Sequence, residues 1–297
     1  MGMASGIQVG VLMKEYYDAV DQRITEGMLR LINVTAGGLP AVAAPTRGLP
    51  AVDSPMPMFV ALGLYLCAVC GGSLWIRRAA ARPRVEEPLT LRILVFLHNT
   101  FCCILSVYMC AGILAQSIRL KYSVWGNAYK DDEKEMAHFI YVFYISKIFE
   151  LMDTIIMVLK RNVRQITVLH VYHHVSIAII WWIIARHAPG GDAYFSAAMN
   201  SGVHVVMYFY YLLSSILRNN DKVRRKYLFW GKYLTQIQML QFGVNMVHAY
   251  YCLKTQAPYP RFLCKILFYY MISLVLLFYN FYLHKYSKSS AKQGKLE

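Results

Sequence analysis

Seven stretches of about twenty mostly apolar residues run along the chain, at 58–76, 93–116, 139–159, 168–184, 194–217, 233–253 and 262–283. Each is long enough to cross a hydrocarbon core roughly 30 Å thick. No water reaches such a core, so every backbone N–H and C=O must pair within its own segment, and helices satisfy that condition. The sequence therefore predicts an all-α, polytopic membrane protein of seven transmembrane helices. Composition agrees, because 57% of the 297 residues are hydrophobic and 16% are charged, which excludes an ordinary soluble domain.

The net charge of +15 raises the question of nucleic acid, but the basic residues sit in short loops between apolar spans, not along one soluble face. Topology accounts for them. Arg77, Arg78, Arg82 and Arg84, then Lys160, Arg161 and Arg164, then Arg218 to Lys232, then the lysines of the tail all fall at one end of the bundle. The positive-inside rule makes that end cytosolic and predicts a lumenal N-terminus and a cytosolic C-terminus. The N-terminal side carries the one N-x-S/T sequon, at Asn33, a candidate glycosylation site. No cleavable signal peptide is evident. The tail "KQGKLE" has Lys295 but lacks the second lysine of a dilysine signal, so it suggests an endoplasmic reticulum address without defining one.

Three parts follow. Residues 1–57 form a lumenal tail, with an amphipathic helix over 9–32 (Tyr16, Val20, Ile24, Met28, Leu31) suited to the membrane surface. The repeat "GLPAVAAP"/"GLPAVDSP" follows it and reads as an irregular linker. Residues 58–284 form the seven-helix domain, and 285–297 a basic cytosolic tail. The run "KDDEKE" reads as a solvated helix start. Most of the seven cysteines lie in or beside apolar spans and read as small hydrophobes; the C-x-x-C at Cys67 and Cys70 is read as packing, and Cys252 and Cys264 are placed to pair.

Polar residues within the spans mark a site, because each is costly in lipid. Helical spacing puts Lys147, Glu150, Asp153 and Thr154 on one stripe of the third span, and His170, His173 and His174 on one face of the fourth. Asn200, His204, Tyr208 and Tyr211 align on the fifth, Thr235, Gln238, Gln241, Asn245 and His248 on the sixth, and His98, Cys102 and Ser106 on the second. At about 1.5 Å per residue, His173 lies roughly 8 Å and His204 roughly 20 Å from the basic end. These groups can line one tunnel, polar at a cytosolic mouth and apolar within, which suits an amphipathic acyl substrate. Each has a structural alternative: Asn200, Tyr208, Tyr211, Asn245 and Ser106 as interhelical glue, Lys147 with Glu150 as a neutralising pair, His248 and His284 as interface residues.

Three imidazoles in "LHVYHHVSIAIIWW" have no packing advantage. Di-iron ligation by H-x-x-H-H needs about eight clustered histidines. Of the nine here, those outside the box are scattered singly, which argues against a desaturase. A seven-helix receptor fits no better, since the polar faces converge on the cytosolic end. Acyl transfer through a neutral imidazole nucleophile fits the cluster, with Cys102 beside His98 as a rival nucleophile. Arg161, Arg164 and the Arg218–Lys232 run suit coenzyme A phosphates.

"KIFELMDT", "HVYHH", "NSGVHVVMYFYY" and "TQIQMLQF" together resemble the motifs of the fatty-acid elongases, the very-long-chain 3-oxoacyl-CoA synthases of the endoplasmic reticulum, in family order. The resemblance covers about 55–286, and "KYSVWGNAY", "HAPGGDAYFSAAMNSGVHV" and "KILFYYMISL" are similar to polyunsaturated fatty-acid elongases of mosses, liverworts and green algae. It implies condensation of an acyl-CoA, by analogy a C18 Δ6-polyunsaturated one, with malonyl-CoA. His173 is implied as the nucleophile, oriented by His170 and His174, with His204, Gln238 and Gln241 positioning the second substrate. Lys147, Glu150, Asp153, Asn200, Tyr208 and Tyr211 are implied to line the substrate site. The resemblance implies no metal or redox cofactor. It implies the ketoreductase, dehydratase and enoyl reductase of the cycle as partners, and a second copy of the chain as a candidate one.

Overall fold

The computed structural model describes the backbone of residues 2–36, 40–78, 87–162 and 165–293, and side chains of 11–33, 40–78, 87–162 and 165–280. The described residues form helices and turns with no strand. The helices are α1 (Gly2–Ala36), α2 (Met56–Arg78), α3 (Leu89–Arg119), α4 (Lys134–Phe149), α5 (Leu151–Leu159), α6 (Val168–His187), α7 (Ala193–Ile216), α8 (Asp221–Tyr227), α9 (Leu234–Lys254) and α10 (Arg261–Gln293). Of these, α2, α3, α6 and residues Arg261–Asn280 of α10 are long and apolar enough to cross a membrane. In α7 and α9 the polar stripes dilute the apolar character.

The third apolar stretch, expected as one span, is two helices. The chain tightens at Glu150, where Asp153 N donates to Glu150 O over three residues at 3.1 Å. Ser146 Oγ also donates to Phe143 O at 2.8 Å, drawing a side-chain proton into the same turn. A tightened turn inside a helix is a common origin of a kink, and it divides α4 from α5 at the residue that carries the buried carboxylate.

Helix contacts close a ring in the order α4/α5, α3, α7, α9, α10, α6, with α6 returning to α4. Edge-on packing of Phe143 against Trp181, centroids 4.3 Å apart, seals the α4–α6 seam. Helix α2 packs outside this ring on α5 and α6. The expectation that seven helices surround the site is thus corrected: among the described residues the cavities are lined from the six ring helices and their connections, with none from α2. Helix α1 is longer than the predicted 9–32; its Tyr16, Ile24 and Leu31 are exposed, and Asn33 lies exposed in its last turns.

The proline-rich repeat does more than link. Its prolines and glycines prevent a helix beyond one 3₁₀ turn at Ala44–Thr46, yet leave carbonyls free for the helix ends beneath. Ala43 N donates to Arg186 O at 2.8 Å and Thr46 Oγ1 to Ala185 O at 2.7 Å. The buried Arg186 guanidinium donates to Val52 O at 3.0 Å and to Asp53 O. Tyr144 Oη donates to Ala51 O at 2.9 Å, so the repeat caps α4 and α6. In the loop before α4, Glu133 is buried and accepts from Tyr122 Oη, a departure from the solvated start expected of "KDDEKE". The apolar neighbourhood of α4 leaves the carboxylate needing that hydroxyl. Arg82, Arg84 and Lys295 lie outside the described residues.

The same loop is tied to α7 through Gly191, whose φ of +51° suits glycine. A Cβ there would lie 2.8 Å from Asn127 O and 2.8 Å from Tyr129 N, both backbone atoms that cannot swing aside. Gly191→Ala is expected to cost about 1–3 kcal/mol, read as a lower melting temperature in detergent. Gly63→Ala, where a Cβ meets open space, leaves melting unchanged or raises it.

Candidate active site

The polar stripes meet inside the ring. Lys147, 1% exposed, places Nζ 2.7 Å from Glu150 Oε1 and 2.9 Å from Asn200 Oδ1, joining the α4/α5 junction to α7. His204 Nδ1 lies 3.3 Å from the same Glu150 oxygen but off the line of a hydrogen bond. Glu150 Oε2 is buried without a hydrogen-bond partner among the described residues, and Glu150 lines the larger cavity. The lysine spacing of three residues allows this pairing on one turn, while a lone ammonium in such a core would cost several kcal/mol.

Asp153 is a second node. Its Oδ1 lies 2.8 Å from His98 Nε2, and its Oδ2 accepts from Tyr208 Oη at 2.7 Å, tying α5 to α3 and α7. Spacing alone showed His98 as part of a stripe; its partner sits 55 residues away and was not legible. Cys102 packs its Sγ 3.7 Å from His98 Nε2 and lines neither cavity.

The histidine box occupies the first two turns of α6, whose N-terminus is capped by Thr167 Oγ1 accepting from His170 N at 3.2 Å. The three rings diverge in their partners. His170 Nε2 lies 2.8 Å from Thr154 Oγ1, which donates to Tyr65 Oη at 3.2 Å. His174 is buried with Nδ1 unpartnered among the described residues, its ring centroid 4.5 Å from that of His170 and 5.6 Å from that of His173. His173 Nδ1 lies 3.0 Å from Tyr270 Oη on α10. His173 is thus hydrogen-bonded by a tyrosine that the sequence motifs did not mark, amid an aromatic run, "FYYM", in which no spacing distinguishes one ring.

Two cavities share His173, Asn200, Gln241 and Phe242. The larger, about 1600 Å³, also takes in Glu150, Asp153, His170, His174, His204, Tyr208, Tyr211 and Gln238, and ends at a rim of Arg92, Lys160, Arg218 and Arg224. The smaller, about 30 Å³, is constricted and runs to the opposite end among Ile177, Ile180, Ile184, Leu267, Met271 and Leu274. Asn245 lines it, with both amide atoms lacking a hydrogen-bond partner among the described residues. Of the basic residues expected at the mouth, Arg218 and Arg224 line it, Arg161 instead stacks over Trp75 at 4.9 Å, its backbone turned by a positive φ of 54°, and Arg164 lies outside the described residues. Glu87 holds the actual rim, contacting Arg218 and lying 4.0 Å from Lys160. Cys252 and Cys264 are free thiols: Cys252 Sγ is directed to Asp192 Oδ2 at 3.2 Å, so the pairing anticipated from their positions is not formed.

Residues 50–294 match the model of the ELO: GNS1/SUR4 family. The chain is 41% identical over 205 residues to fatty acid elongase 6 of Leishmania major, an alignment covering 67% of the chain and 53% of that protein, so it spans about half the length of that relative. It is 34% identical over 246 residues to very long chain fatty acid elongase 5 of Homo sapiens, covering 82% of the chain and 78% of the relative. Elongase 4 of Mus musculus is 33% identical over 248 residues, covering 82% and 76%. With its four polar motifs gathered around one pair of cavities, the chain belongs to the ELO (GNS1/SUR4) family of fatty-acid elongases.

Proposed function

We propose that this fatty-acid elongase joins a polyunsaturated C18 Δ6 acyl-CoA to malonyl-CoA through an acyl-imidazole on His173, giving a 3-oxoacyl-CoA two carbons longer. The observation that carries the reading is the position of His173 where a wide polar cavity with a basic rim meets a constricted apolar one. The rim of Arg92, Lys160, Arg218 and Arg224 suits the phosphates of coenzyme A. The apolar side suits the acyl chain, which enters by displacing side chains such as Met271, since the resting volume is small.

Tyr270 orients His173: its Oη lies 3.0 Å from Nδ1, accepts from Ser176 Oγ at 3.1 Å and stands 3.5 Å from the His173 carbonyl. In this reading Nδ1 is the protonated nitrogen, held toward Tyr270, and Nε2 is the nucleophile. Nε2 adds to the thioester carbonyl, the C–S bond breaks, and the coenzyme A thiolate takes up the proton that Nδ1 loses as the neutral acyl-imidazole forms. Malonyl-CoA then loses CO2, and the resulting enolate carbon attacks the acyl carbonyl and expels the imidazolate, which regains a proton from water. Gln241 and His204 face the same space and position the malonyl unit, while Lys147 and Glu150 hold the polar wall. Cys102, outside both cavities, is a poor alternative nucleophile.

The family's lipid substrates and the apolar helices fit seven spans in the endoplasmic reticulum membrane, counting α4/α5 as one, with the basic rim facing the cytosol and α1 lying along the lumenal surface. The 3-oxo product calls for a ketoreductase, a dehydratase and an enoyl reductase to complete the cycle. Resemblance of the 121–129 and 187–205 stretches to moss, liverwort and green-algal enzymes supports the C18 Δ6 preference.

Yeast expressing the chain and fed γ-linolenic or stearidonic acid is expected to accumulate C20 products at least about tenfold above C22 products from fed C20 acids, by gas chromatography of total lipids, since a difference of 1.4 kcal/mol in fit suffices. Absence of any two-carbon-longer product would overturn the elongase reading. Incubation with acyl-CoA alone should leave an acyl adduct on His173 in peptide mass spectra. Tyr270→Phe should slow its appearance about 10–100-fold, as expected for a lost orienting hydrogen bond, whereas an adduct on Cys102 reverses the assignment. Lys147→Met should destabilise the fold by about 3–5 kcal/mol by stranding Glu150. The Lys147→Met/Glu150→Gln pair should recover most of the melting temperature while turnover stays low.

A further inference from the structure

At the end of the bundle opposite the basic rim, a second group of polar side chains is buried. Asp192, His248 and Cys252 are 3%, 4% and 2% exposed, and their ligand-type atoms lie within 4.8 Å of one another. Cys264, 5% exposed, stands outside that set of three but lines the constricted cavity with them. They come from different elements: Asp192 precedes α7, His248 and Cys252 are one turn apart on α9, and Cys264 is in the first turn of α10.

The surroundings have the form of a metal site's outer shell. His248 Nε2 donates to Val124 O at 2.8 Å, which leaves Nδ1 as the lone-pair nitrogen, and a carbonyl in that position is the usual device for orienting a ligating histidine. Phe195 stacks on the ring at 4.2 Å and fixes its plane. The Asp192 carboxylate accepts from Gly126 N at 3.0 Å, Asn127 N at 2.9 Å and Asn127 Nδ2 at 2.8 Å, which fixes its orientation. Cys252 Sγ stands 3.2 Å from Asp192 Oδ2 and 3.9 Å from His248 Nδ1. A tetrahedral zinc ion with sulfur, nitrogen and oxygen ligands sets those atoms about 3.2–3.8 Å apart. Two thiols and an imidazole favour such a borderline-soft ion over magnesium or calcium.

We propose that Asp192, His248, Cys252 and Cys264 bind one zinc ion, a structural site that fastens the 120–133 loop to the ends of α7, α9 and α10. Binding forms two Zn–S bonds with release of two thiol protons, while the carboxylate and neutral imidazole contribute lone pairs. The resulting single negative charge is met by the three N–H groups on Asp192. The site stands at the far end of the constricted cavity that His173 also lines, and it takes no step in acyl transfer.

The test uses the full chain purified in detergent, incubated with zinc sulfate and washed with a weak chelator. About one zinc per chain is expected by plasma mass spectrometry, falling below about 0.2 in Cys252→Ser and His248→Ala and unchanged in Cys67→Ser, whose thiol is exposed. Cobalt exchanged into the unmutated chain should give a thiolate-to-cobalt charge-transfer band, which reports the site without relying on variants that fail to fold. Less than about 0.1 zinc per unmutated chain with no cobalt band would overturn the proposal. So would a Cys252–Cys264 disulfide peptide in an unreduced digest.

Discussion

An ammonium and a carboxylate 2.7 Å apart, with the lysine 1% exposed, stand at the centre of this apolar bundle. Neither charge is tolerable there alone, so the pair can exist only if α4 and α5 keep the register that brings both side chains together. Asn200 then draws α7 to the same point, and Asp153, bonded by His98 and Tyr208, draws α3 and α7 to a second one a turn away. These contacts are directional in a way that leucine packing is not. They set how the ring closes and keep polar walls facing each other across an open volume.

That open volume is what gives the histidine box its meaning. On an isolated helix His170, His173 and His174 differ only by position along one face. In the ring they meet Thr154, Tyr270 and mainly one another, respectively. A ring nitrogen paired to a tyrosine at the junction of two cavities is suited to nucleophilic chemistry. One paired to a threonine on α5 serves better as a wall. The tightened turn at Glu150 belongs to the same design, since it places a carboxylate paired with Lys147 at the wall of the wide cavity.

At the opposite end the bundle is closed by segments without regular structure. Carbonyls of the proline-rich repeat receive the Arg186 guanidinium and the Tyr144 hydroxyl, and the 120–133 loop is drawn onto Asp192 by its own backbone amides. Both are cases of buried polar groups that must be paired, here by chain that cannot itself form a helix. The repeat looks like a linker by composition because composition reports what a segment cannot become, and not what it touches.

Apolar length and the 3.6-residue period located each long helix, since each must satisfy its own backbone in lipid and hide its own polar stripe, but not the break at Glu150 or the added turns at the ends of α1 and α10. The same period placed Lys147, Glu150, Asp153, Asn200, His204 and the box residues on inward faces, and the structure brings these together. Only the tertiary structure decided that α2 stands outside the ring, that Arg161 turns to Trp75 while Lys160 joins Arg218 at the rim, that Asp153 is held by His98, and that Tyr270 meets His173. Those pairings join residues tens of positions apart through close contacts between helices. Periodicity carries the face of a side chain but not the identity of what lies across from it, because that depends on the rotation and depth at which neighbouring helices pack.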